Sequence, residues 1–140
     1  MRIPETAAEL VRALGELGGT AEHEVRLDIE GCRVDVATDA PELAAGLQRY
    51  FHGWLLDPGM ADMSAPDFRI VALETPTVTL QGPWTIKQPE PGKTKIKEEW
   101  IDLPDGRVVR KRTTGMVFVF GGSRHLAVGP CTGNDNQVVN

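Results

Sequence analysis

A chain of 140 residues with 41% hydrophobic and 25% charged residues has the make-up of one soluble globular domain. That length buries roughly 68–70% of the unfolded surface without metal or disulfide staples. A formal net charge of −5 argues against general nucleic-acid or membrane binding. No apolar run approaches the ~20 residues that a bilayer-spanning helix needs.

The chain opens MRIPETAAELVRAL, with acids where a signal peptide carries its apolar stretch. Cys32 and Cys131 lie far apart and form no CxxC. Both features point to a reduced, cytoplasmic setting with two buried thiols.

Leu10, Val11, Leu14 and Leu17 recur at helical spacing, predicting a helix over residues 4–17 that Gly18 and Gly19 stop. Val25, Leu27 and Ile29 alternate with polar residues, as do Cys32, Val34 and Val36, so the Gly31 turn joins a β-hairpin. Asp39 and Glu42 form a D-x-x-E capping box with Pro41 in the first turn. The helix they open carries Leu43, Leu47, Phe51 and Leu55 and ends at Asp57–Pro58–Gly59. A strand follows over residues 68–73.

Residues 76–92 hold four prolines and read as an extended connector pinned by Trp84. Strands are then expected near residues 95–102, 107–113, 116–120 and 125–128. Their turns fall at Pro104–Asp105–Gly106, at Thr114–Gly115 and at Gly121–Gly122–Ser123. The expected fold class is two-layer α+β, an α-β-β-α-β unit followed by an antiparallel β-meander. As one domain it divides into residues 1–80, a connector at 81–94, the meander at 95–130 and a tail at 131–140. Asn134 or Asp135 can cap a helix from about Asn136, so the tail reads as the start of a truncated helix or a linker.

The stretch PEPGKTK at residues 89–95 invites a P-loop reading, which fails. A G-x-x-x-x-G-K-[ST] loop would need glycine where Lys87 stands, and Pro89 and Pro91 offer no N–H to a phosphate. His23, His52 and His125 have no metal-ligand spacing, and no catalytic Cys–His or G-x-S-x-G pattern occurs. No catalytic, cofactor or metal residue is therefore assigned. Cationic residues gather late in the chain, making Lys93, Arg110 and Arg112 the candidate anion- or partner-facing surface. Strand alternation sends Arg110 and Arg112 one way and Lys111 the other, which favours a solvated strand face. Asn134, Asp135, Asn136 and Gln137 form the candidate interdomain hinge.

Four ordered stretches resemble the N-terminal region of the HPr-kinase-related kinase B family. They are EPGKT followed by KEEW, DLPDGRVVRK, TGMVFVFGG, and LAVGPC followed by NDNQVVN. The resemblance covers residues 89–140 well and residues 1–80 in layout only. It implies a P-loop kinase domain downstream in the same chain, with ATP and Mg²⁺ bound there and a protein or peptide as substrate. This region would then be non-catalytic, positioning substrate or mediating assembly. The alternatives are a free-standing protein-interaction domain, or a nucleic-acid module using residues 93–112.

Overall fold

The computed structural model describes residues 1–56, 65–121 and 124–139. In chain order the elements are α1 (Ala7–Gly15), β1 (His23–Ile29), β2 (Cys32–Thr38), α2 (Pro41–Tyr50), β3 (Phe68–Glu74), β4 (Thr85–Ile86), β5 (Glu98–Leu103), β6 (Gly106–Lys111), β7 (Val117–Gly121), β8 (Arg124–Gly129) and α3 (Asp135–Val139). The fold class is α+β, with one mixed sheet ordered β1-β2-β3-β8-β7-β6-β5-β4.

The hairpin and the meander form as expected, from antiparallel β1/β2 and β5 through β8. What joins them is a parallel pairing of β3 with β2 on one side and β8 on the other. β3 is central, and its unbroken apolar run IVAL follows from burial on both faces. Ile70 and Ala72 join the core beneath α2, while Val71 and Leu73 join the core beneath α1. The helices therefore cover opposite faces toward opposite ends of the sheet.

α1 is shorter than its apolar spacing suggests, because Thr6 is the N-cap and accepts from Glu9 N at 3.2 Å. Leu10 and Leu14 are fully buried, whereas Leu17 lies beyond the helix and is exposed. The Asp105 carboxylate of the β5–β6 turn accepts from Ala7 N at 2.6 Å and Ala8 N at 3.1 Å. Two first-turn donors that lack helical partners are thus satisfied from across the fold.

The expected capping box at α2 does not form. Ala40 is the N-cap and makes no side-chain cap bond. Asp39 instead accepts from Gly19 N and Glu74 N, both at 2.8 Å, tying the α1–β1 connection to the end of β3. Two donors from separate segments replace one at the helix start. α2 also ends at Tyr50; a 3₁₀ turn follows at His52–Trp54, and Leu55 bridges to Leu27 of β1. The predicted stop at Asp57–Pro58–Gly59 lies outside the described residues, as do Gly122 and Ser123 of the last turn.

Candidate functional site: a basic loop and an apolar groove

Arg110 and Arg112 share one face, as alternation requires, and there both are engaged in ion pairs while remaining 25% and 41% exposed. Both reach Glu99 of β5, which is only 2% exposed. Arg110 Nε donates to Glu99 Oε1 at 2.6 Å and Arg112 Nη2 to Oε2 at 3.0 Å. The Arg110 guanidinium also lies 4.3 Å from the centroid of the Trp84 ring. Burial raises the Glu99 carboxyl, but the hydrogen bonds from Arg112 and Arg110 outweigh it and leave the group below its ordinary value. These two cations serve a structural clamp that holds the connector, through Trp84, against the sheet.

On the opposite face of β5, Glu98 takes Lys111 and Lys87, the latter at 3.2 Å. Hydrogen bonding from Lys111 is the chief cause of its lowered carboxyl pKa, with Lys87 adding to it against the desolvation. Lys93 therefore does not join Arg110 and Arg112 as the charge pattern suggested. It lines a separate depression with Lys87, Lys95 and Lys97, and pairs with Glu90 at 3.1 Å. The PEPGKTK stretch forms this basic loop, with Gly92 at φ +83° in its turn.

The tail residues are anchored at their start. Asn134 Nδ2 donates to Pro130 O at 2.6 Å, and Thr114 Oγ1 donates to Gln137 Oε1 at 3.3 Å. Asp135 and Asn136 form the first turn of α3. Val138 is buried against the core that α2 covers. Beyond it, Gln137, Val138 and Val139 wall an apolar groove of about 300 Å³. Its far side is formed by Phe68, Phe120 and His125, at the ends of β3, β7 and β8 away from Gly129.

Phe68 and Phe120 are 46% and 43% exposed, an unusual state for phenylalanine at neighbouring strand ends. Their ring centroids lie 5.8 Å and 5.5 Å from that of His125. Desolvation lowers the His125 pKa, favouring the neutral imidazole, and its Nδ1 has no hydrogen-bond partner among the described residues. The groove thus presents aromatic, uncharged surface. In the sequence His125 shows no metal-ligand spacing and belongs to no motif. Its place here follows from the β7–β8 register opposite Phe120 and the β3–β8 register opposite Ile70. Only the first of those pairings has a local signal, the short turn between the strands.

Among the described residues no group of three or more His, Cys, Asp or Glu side chains is placed to hold a metal ion. No helix among them is long and apolar enough to cross a membrane. No family model matches the chain, no curated protein matches its sequence, and no solved structure matches its fold.

Proposed function

We propose that this chain is the N-terminal accessory region of a cytoplasmic HPr-serine-kinase-related kinase, docking a downstream P-loop domain and positioning its protein substrate or assembly. The kinase assignment rests on the resemblance of the four ordered stretches. ATP and Mg²⁺ belong, on this reading, to the downstream domain. The docking assignment rests on one observation, the apolar groove that begins where α3 ends.

The occupant we assign to the groove is a continuation of α3. The chain turns back at Pro130, and the last residues of α3 border a groove whose far wall lies toward the start of β8. From Ala127 to His125 is two strand residues, roughly 7 Å. About one and a half further helical turns cover that distance at 1.5 Å per residue. Side chains three, four and seven positions beyond Val138 would share its face and meet Phe68, Phe120 and the neutral His125. The segment Asn134 to Gln137 would then be the root of the interdomain helix, which is the hinge role its capping residues suggest.

Hydrogen exchange tests this reading on the chain extended by the residues its gene encodes after Asn140. The Gln137, Val138 and Val139 amides should gain protection of at least tenfold, because a five-residue helix is marginal without further turns. A downstream strand, P-loop and helix in the translated gene supports the kinase. A stop codon there, with a separate protein filling the groove, would support the interaction-domain alternative instead.

A further inference from the structure

The basic loop between β4 and β5 shares no lining residue with the groove. Lys87, Lys93, Lys95 and Lys97 surround one depression of about 90 Å³, together with Glu90 and Pro89. Lys87 and Lys93 pair with Glu98 and Glu90, but Lys95 and Lys97 have no ion-pair partner among the described residues. Four cations facing one small space repel each other, in a chain whose net charge is −5. That arrangement is held by the backbone. Lys87 N donates to Glu98 O at 3.1 Å, Lys93 N to Glu90 O at 2.9 Å, and Arg112 N to Lys97 O at 2.9 Å.

We infer that this depression is a binding site for a single phosphoryl group. Its volume of about 90 Å³ is more than a single water needs and leaves room for a tetrahedral oxyanion. It is smaller than the roughly 300–1,000 Å³ of a pocket that encloses a drug-sized ligand, so it encloses no more of a ligand than its phosphoryl group. Lysine suits the task as a mobile point charge with three donors, needing no bidentate geometry. The unpaired Lys95 and Lys97 supply most of the attraction, and the Lys87 and Lys93 side chains, each more than half exposed, rearrange toward an incoming dianion. The loop therefore recognises a phosphomonoester by its charge and size alone, without the backbone cradle of a P-loop.

Titration of the 140-residue chain with inorganic phosphate, at constant ionic strength set with sodium chloride, tests the site by amide NMR. Saturable shifts confined to residues 87–97 are expected, with millimolar affinity. Lys95→Gln with Lys97→Gln should weaken binding at least tenfold. Arg12→Gln with Arg49→Gln removes the same charge from exposed helix positions and should change it less than twofold. A phosphoserine peptide and pyrophosphate, titrated in parallel, separate a protein-borne phosphate from a free one by which binds tighter. Linear, non-saturable shifts, or equal losses in the two double variants, would overturn the proposal.

Discussion

Replacing Glu99 by Gln keeps the side-chain shape and removes the charge that holds Arg110 and Arg112. Losing one partner of a fully buried ion pair costs about 3–5 kcal/mol, whereas an exposed pair contributes about 0–1 kcal/mol. Glu99 sits at the buried limit, but the Arg110 and Arg112 side chains are 25% and 41% exposed, so water screens much of the attraction. An intermediate loss of about 2–3 kcal/mol follows. At an unfolding entropy of about 2.1 cal/mol/K per residue, that corresponds to a Tm lowered by roughly 7–10 °C. Thermal unfolding by circular dichroism measures it, and the emission of Trp84 should change as its stacked guanidinium loosens. A Tm shift below about 3 °C would refute the clamp, since that is what an ordinary exposed ion pair would give.

Gly106→Ala should be severely destabilising, because its Cβ would lie 1.9 Å from Phe120 O across the β6–β7 pair; a loss of about 3 kcal/mol or more is expected by urea unfolding. Glu98, Glu99 and Asp105 all have carboxyl pKa values below their ordinary 4.5, 4.5 and 3.8. Their stabilisation is therefore complete above those values and lost as the pH falls through the lower folded values, so acid titration should show stability level near neutrality and falling below about pH 4. Cys131 is fully buried with its thiol pushed up to about 12, while Cys32 is half-buried. Alkylation at pH 8 should therefore label Cys32 first and reach Cys131 only at the rate of global unfolding; equal rates would contradict the packing.

Much of the fold is legible because local periodicity and turn chemistry act within a few residues. Leu10 and Leu14 mark α1, the alternation of Val25 through Val36 marks the hairpin, and the Pro104–Asp105–Gly106 turn marks β5 and β6. Contacts set by distant pairing are not legible in that way. Asp39 has the right spacing for a capping box, yet Gly19 N and Glu74 N claim its oxygens once β3 is in place. Asp105 reads as a turn residue and also caps α1, more than ninety positions earlier in the chain. Alternation correctly places Arg110 and Arg112 on one face, but only the β5–β6 register reveals Glu99 opposite. The groove has the weakest signal of all, since Phe68 meets Phe120 and His125 only through the β3–β8 parallel pairing.

The docking claim is tested most directly in trans. On the proposed reading a further polypeptide follows Asn140; prepared separately, it is added to the ¹⁵N-labelled 140-residue chain, and amide shifts are followed by NMR. The account predicts saturable shifts at Phe68, Phe120, His125 and Val139, abolished by Phe120→Asp, with the basic loop at residues 87–97 unmoved. Saturable shifts mapping elsewhere, or no shift at a concentration where the added polypeptide is folded, would contradict it.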